Sequence, residues 1–330
     1  MKIQYRGYWV SQTYKWVSIV HWVVYSLYFR TLTYFSVANP RIYLGGMLDD
    51  RKTDIYDLVP DKYLPLTKLY NPQRVDTVIN DILENFDFPI IAKPNVGFRG
   101  YLVRRIDSIQ ELKSVIEEYK GKELLIQEFL TEAHEYSVMY YKIGHHEYGI
   151  SSFVEKHMPN IIGDGISTIE ALIDHINNPF LNIEWIKEKN NALLNRVMPK
   201  GEKFLVDHIG NHSRGCTFIN LNEEISIEFK KNIHEFFKYV PGMHFCRLDV
   251  KSNSMDSILK GDFKLLEING AKSEPVHIYD KRMSFKDVVR ATKEHWGILF
   301  RIVQSDIGTM NIPSSLQGIR SYFSLKRMVS

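Results

Sequence analysis

Two apolar runs separated by a polar turn constrain this chain more than any other feature. Phe245 to Val250 and Phe263 to Ile268 each read as a buried strand, and Ser252, Asn253, Ser254, Gly261 and Asp262 lie between them, so a β-hairpin is expected. The first run contains Arg247, Leu248 and Asp249; the second closes on Leu265, Leu266, Glu267, Ile268 and Asn269. Pairing of the two would bring Asp249 close to Glu267 and Asn269 on one sheet. Two carboxylates and an amide are hard oxygen donors, and with an arginine two residues before the first they suit a magnesium ion carrying nucleotide phosphates. The alternative is an ordinary hairpin with charged ends, because acidic residues at strand ends are common on solvated surfaces.

Far upstream, Phe88, Pro89, Ile90, Ile91, Ala92, Lys93 and Pro94 read as a short strand ending in a lysine and leading into Asn95, Val96, Gly97, Phe98, Arg99 and Gly100. Glycines at 97 and 100 let a loop adopt positive φ and bring its amides close to phosphate oxygens, with Lys93 as a point charge beside them. Taken alone, the same glycines fit a plain turn. A helix follows from Ser108 to Tyr119, apolar at Leu112, Val115 and Ile116. After it come the strand Leu124, Leu125, Ile126, then Gln127, Glu128, Phe129, Leu130, then Glu132 to Val138.

In this order the lysine-proline strand with its glycine loop, the Gln-Glu-Phe-Leu hinge with its following Glu, the Arg-Leu-Asp-Val strand and the Leu-Glu-Ile-Asn strand resemble the ATP-grasp superfamily of carboxylate–amine ligases. The resemblance covers about residues 50 to 280. It implies an α+β fold in which two α+β lobes clamp ATP. It also implies roles: Lys93 on the α and β phosphates, the loop with Gly97 and Gly100 over the β and γ phosphates, and Gln127 with the backbone of Glu128 and Leu130 on the adenine edge. Glu135 would hold the ribose hydroxyls, and Asp249, Glu267 and Asn269 one or two magnesium ions. Lys52 stands where the family has its first ATP lysine, with a solvated surface lysine as the other reading. Lys156, after the strand Gly149 to Val154, is expected to reach the γ phosphate.

A narrower likeness, to the cyanophycin-synthetase branch, rests on Gly163, Asp164, Gly165, Thr168, Ile169, Glu170 and Leu172, and on Asn211 to Thr217. Physically the first of these is a turn with Ser167 or Thr168 capping a helix. Arg214 and Arg247 are the expected groups for neutralising charge on the transferred phosphoryl. His212 reads as a hydrogen-bonded loop residue rather than a catalyst. The D-alanine–D-alanine ligases carry Ser-Pro-Gly after the final Asn, whereas this chain runs Gly270, Ala271, Lys272, Ser273, Glu274, Pro275. D-alanine is therefore unsupported as the substrate. Lys272, Ser273 and Glu274 are expected to present a cation, a hydroxyl and an anion to a zwitterionic or uronic-acid substrate.

The chain has 330 residues, 44% of them hydrophobic and 25% charged, enough for two or three lobes with sizeable cores. A net charge of +3, dispersed and without a basic stripe, speaks against nucleic acid. Cys216 and Cys246 have no metal-ligand spacing and no disulfide framework, which fits a reducing cytoplasm where ATP is found. Three of the five tryptophans, Trp9, Trp16 and Trp22, lie near the amino terminus, and Trp16 to Phe29 is nearly uninterrupted apolar sequence. Fourteen helical residues reach about 21 Å, short of a bilayer's ~30 Å hydrocarbon core, so a spanning helix is not expected. A helix buried on the ligase core is the favoured reading, a membrane-interfacial one the alternative.

The expected organisation is an aromatic-rich amino-terminal segment (1–70), a small lobe with the glycine loop (71–130), a large lobe with the magnesium hairpin (131–303) and a tail (304–330). The expected activity is ATP- and magnesium-dependent amide formation through an acyl phosphate, from small-molecule or sugar-linked carboxylate and amine substrates. The alternatives are an ATP-grasp kinase or thiol ligase, or a non-catalytic ATP-binding module of a membrane or polysaccharide assembly.

Overall fold

The computed structural model describes residues 6–47, 51–72, 75–96, 103–176, 181–207, 210, 215–308 and 312–320. In chain order its elements are α1 (Arg6–Phe29), α2 (Thr53–Tyr56), β1 (Thr67–Tyr70), α3 (Val75–Asn85), β2 (Ile90–Pro94), β3 (Arg104–Ile106), α4 (Ile109–Glu118) and β4 (Leu124–Glu128). Then follow β5 (His134–Ile143), β6 (Glu147–His157), β7 (Asn160–Ile162), α5 (Ile169–Asp174), α6 (Ile183–Lys189), β8 (Lys203–Leu205) and β9 (Thr217–Asn220). The last are α7 (Ile227–Phe237), β10 (Phe245–Ser252), α8 (Met255–Leu259), β11 (Lys264–Asn269) and α9 (Phe285–Asp306).

Two antiparallel sheets make the α+β architecture. The small lobe is a four-stranded sheet in the order β1-β4-β2-β3. Its apolar face buries Ile90, Ala92, Leu124 and Ile126 against Ile79 and Ile82 of α3 and Leu112, Val115 and Ile116 of α4. Ser108 caps α4 by accepting from the Glu111 amide. Strand β1, inside the stretch expected as the amino-terminal segment, pairs with β4 of this sheet.

The large lobe is a five-stranded sheet in the order β11-β10-β5-β6-β9. Period-two alternation sends Tyr136, Val138, Tyr140, Phe153, Leu248 and Val250 into one core with Phe229, Ile233, Phe236 and Phe237 of α7. Each such side chain contributes about 1.5–3 kcal/mol on burial. The intervening residues of β5, β6 and β10 face the other way, which is where the polar groups lie. Between β6 and β9 in the chain, β7 and β8 form a small sheet packed with α5 and α6. Thr168 caps α5 by accepting from the Ala171 amide.

The amino-terminal segment departs from expectation in two ways. Helix α1 is 24 residues long, about 36 Å, so length does not prevent it from spanning. Hydropathy does, since no helix among the described residues is both long and apolar enough to cross a membrane. Nor is α1 fully buried. Val10 and Tyr14 pack on Ile278, Val288 and Ala291, while Trp22, Tyr25 and Phe29 pack against a core containing Trp296 and Leu299 of α9. Its far side is exposed.

The segment after α1 is tied to the large lobe by Asn39, fully buried, whose Nδ2 donates to the carbonyls of Gly45 (2.9 Å) and Phe245 (2.8 Å). Its Oδ1 accepts from the amides of His244 and Phe245, both at 2.9 Å. Gly45 has φ +62°, and a Cβ there would sit 2.6 Å from the Phe35 carbonyl oxygen. The amides of Ala271 and Lys272 donate to Gly45 and Gly46, so the residues that follow β11 are framed by this segment.

Candidate active site

The hairpin sets the centre of the site. Its register pairs Arg247 with Asn269 and Asp249 with Glu267, and a short helix, α8, occupies the connection. On the other side of β10, Ser137 lies across from Asp249, and Glu135 lies across from both Lys251 and Lys156. Strand β6 runs to His157, so Lys156 is inside it rather than after it. One sheet face therefore carries Arg247, Asp249, Glu267, Glu135 and Lys156 together.

Asp249 is the hub. Ser137 Oγ donates to its Oδ1 at 2.7 Å, Arg247 reaches it through Nε (3.2 Å) and Nη2 (3.0 Å), Lys156 Nζ lies at 3.1 Å and Asn269 Nδ2 at 3.5 Å. Burial would push the Asp249 carboxyl up, yet Arg247 and Lys156 hold it well below the usual carboxylate range. Lys156 also lies 3.0 Å from Glu135 Oε1. Burial favours its neutral amine, but the two carboxylates outweigh that and raise its pKa.

The small lobe reaches this face through a β-bulge. Val250 pairs with Leu265 while Asp249 pairs with Glu267, which leaves Leu266 as the extra residue of β11. The Leu266 carbonyl accepts from Tyr56 Oη (2.5 Å) and from Lys93 Nζ (3.3 Å). Lys93 Nζ also donates to Tyr56 Oη (3.0 Å) and to Gln127 Oε1 (2.9 Å). Burial lowers the Lys93 pKa to about 8, with Glu267 opposing the shift. Burial, reinforced by Glu267, pushes the Tyr56 phenol well up, so it remains a donor.

Lys52 is no solvated surface lysine. It is 9% exposed, and its Nζ lies 3.3 Å from Glu267 Oε1. Its backbone amide donates to the carbonyl of Asn95, whose own side chain, fully buried, bonds Thr53 and Glu123. Burial would raise the Glu267 carboxyl, but Lys52, Lys93 and Arg247 bring it below its ordinary value.

Other expected residues are placed differently. The Gln127 side chain, 2% exposed, is committed to Lys93 and to Thr67 Oγ1 (2.8 Å), so it positions the lysine inside the lobe rather than standing at an adenine edge. The Glu128 amide donates to the Leu66 carbonyl, and the Leu130 carbonyl accepts from Lys251 Nζ at 3.0 Å. That donor and that acceptor are thus used within the protein. Glu135 is enclosed, with Gly210 so close that a Cβ there would lie 2.2 Å from Oε1. Ser273 is 3% exposed and its Oγ donates to the Asn269 carbonyl at 2.9 Å, closing the turn after β11 rather than facing a substrate. Glu274 accepts a hydrogen bond from Tyr279, which also bonds Ser11 of α1. Gly97, Gly100, His212 and Arg214 lie outside the described residues.

Tyr56, Ser137 and the Leu266 carbonyl carried no role in the sequence reading. Ser137 had a signal, since it lies two residues from Glu135 in a strand and so on the same face. Tyr56 had none, because its partner is 210 residues away.

Four cations, Lys52, Lys93, Lys156 and Arg247, converge on three carboxylates, Glu135, Asp249 and Glu267. The excess is positive. Among the described residues no group of three or more His, Cys, Asp or Glu side chains is arranged to hold a metal. The hard-donor set of Asp249, Glu267 and Asn269 suits a divalent cation that brings anionic oxygen ligands with it better than a bare ion.

No family model matches the chain, and no curated protein matches it. Among solved structures it is similar to the VanG D-Ala:D-Ser ligase from Enterococcus faecalis, at 14% identity and a TM-score of 0.43 over 77% of this chain and 62% of that one. It is similar to the D-alanine–D-alanine ligase from Bacillus anthracis, at 12% identity and 0.42 over 80% and 67%. A bifunctional glutathione synthetase from Pasteurella multocida is also similar, at 12% identity and 0.37 over 74% of this chain. This chain spans 36% of that synthetase.

Proposed function

We propose that this chain is an ATP-grasp carboxylate–amine ligase, which activates a carboxylate with the γ phosphate of ATP and joins it to an amine. The observation that carries this reading is the convergence of Lys52, Lys93, Lys156 and Arg247 on the face that holds Asp249 and Glu267. A site with more cations than carboxylates, half of them supplied from outside the sheet, is built for a polyanion. Magnesium, arriving with the nucleotide, would be held by Asp249, Glu267 and Asn269 and would supply charge neutralisation on the phosphates.

The chain's own residues do the rest. Lys93, held by Gln127 and Tyr56, presents its ammonium to the phosphates from the small lobe. Arg247 and Lys156 are kept charged by Asp249, so either can release a carboxylate and take up a phosphoryl oxygen without a change of protonation. Lys272 and Glu274, framed by Gly45, Gly46 and Tyr279, mark the edge where the second substrate would enter.

Incubation with ATP, magnesium and a pooled library of carboxylates and amines, followed by mass spectrometry, tests the reaction. A new amide together with ADP is expected; a phosphorylated product or a thioester would replace this reading. Glu267→Gln is expected to retain its thermal midpoint and lose phosphate release. Activity within a fewfold of wild type at matched stability would remove Glu267 from the metal set.

A further inference from the structure

Helix α1 is apolar on two sides and, among the described residues, has a partner on only one. Its inner face packs on α9, and Trp296 Nε1 donates to Ser18 Oγ at 2.8 Å. On the outer face Trp9, Trp16, Val20, Val24 and Leu27 are 48%, 61%, 59%, 53% and 75% exposed. At about 100° per residue these positions, with Val23, fall within roughly a 100° arc, interrupted at one turn by Thr13. The segment around Ser315 docks beside the carboxyl end of α1, its Oγ accepting from the Leu32 amide at 3.1 Å, and adds the exposed Leu316 and Ile319.

Charge decides what covers this face. No acidic residue precedes Asp49 and none follows Asp306, whereas these two stretches hold Lys2, Arg6, Lys15, Arg30, Arg41, Arg320, Lys326 and Arg327. The remainder of the chain has 34 basic and 39 acidic residues, so the positive charge of the molecule belongs to its two ends. A second copy would set the basic residues that flank this stripe in the sequence against one another. An anionic bilayer offers opposite charge, an apolar layer for Val20, Val24 and Leu27, and a headgroup region for tryptophan. We infer that the outer face of α1, with the docked carboxyl-terminal segment, seats the protein on an anionic membrane surface, lying in the interface rather than spanning it.

The test is co-sedimentation of the full chain with vesicles of phosphatidylcholine alone or mixed with phosphatidylglycerol. Binding is expected to be at least roughly tenfold tighter on the mixed vesicles, to weaken with added salt and to be accompanied by quenching of tryptophan fluorescence by brominated lipid. Val20→Glu with Leu27→Glu, both at exposed positions, is expected to lose about tenfold or more in partitioning while keeping its thermal midpoint. Glu267→Gln is expected to bind vesicles like wild type, which separates this inference from the ligase reading. No binding, equal binding to both vesicle types, absence of quenching, or a dimer in sedimentation velocity that the double substitution dissociates would overturn it.

Discussion

Burial of Lys93 has a consequence that calorimetry reads directly. Its ammonium, 6% exposed, has a pKa near 8 in place of 10.5. At about 1.36 kcal/mol per pKa unit, keeping it charged costs the fold about 3 kcal/mol. If the site takes a triphosphate against Lys93, the ligand's charge restores the ammonium and a proton is bound together with the nucleotide. Uptake is then about 0.1 proton at pH 7, about 0.5 at pH 8 and about 0.9 at pH 9. Isothermal titration with MgATP in two buffers of different ionisation enthalpy, at pH 8 and 9 where nucleotide phosphates are already ionised, gives the number. Lys93→Met is expected to abolish the pH-dependent uptake. The same shift bears on stability. Below pH 8 Lys93 is charged in both folded and unfolded states and its cost is fully present; between pH 8 and 10.5 the folded state sheds the proton first, so wild type gains up to about 3 kcal/mol relative to Lys93→Met. Binding heats that do not depend on buffer at pH 8 and 9, or identical uptake in Lys93→Met, would refute the assignment of Lys93 to the phosphates.

Lys156→Met leaves Glu135 and Asp249 buried with one cation fewer and is expected to cost about 3–5 kcal/mol in urea unfolding, with part of the loss recovered when Glu135→Gln is added. A loss below about 1 kcal/mol would mean that the pair is solvated. Asn39→Ala removes three hydrogen bonds from the amino-terminal segment to His244 and Phe245 and a fourth within the segment, to Gly45, and is expected to destabilise by about 2–4 kcal/mol, with faster amide exchange at Phe245. Unchanged exchange there would show that the packing of Phe35 and Val37 suffices. Exchanging the charges at Lys272 and Glu274 is expected to leave ATP affinity within about twofold while changing which second substrate is accepted; an unaltered preference in competition assays would place the acceptor pocket elsewhere.

The hairpin of β10 and β11 was legible from the sequence, because two apolar runs about a polar turn carry their own pairing signal. It brought Asp249 beside Glu267, while the alternation that turns Leu248 and Val250 into the core and Arg247 and Asp249 to the other face came with the sheet. Helix α4, and helix α5 with its Thr168 cap, were readable for the same local reason. What the sequence could not show was anything carried across the chain. Lys52 looks like any exposed lysine until Asn95, 43 positions later, holds its backbone and Glu267 takes its ammonium. Gln127 looked like a ligand-facing hinge residue, yet Lys93 and Thr67 claim both ends of its amide. The bulge at Leu266 depends on a ladder slipping by one residue, which neither strand encodes alone. An apolar helix such as α1 reads as core by composition; only the placement of α9 on one side, and of nothing on the other within the described residues, separates a packed face from an exposed one. Local periodicity is a property of the chain, whereas burial and ion pairing are properties of which distant segments meet, and that is set by the packing of both lobes at once.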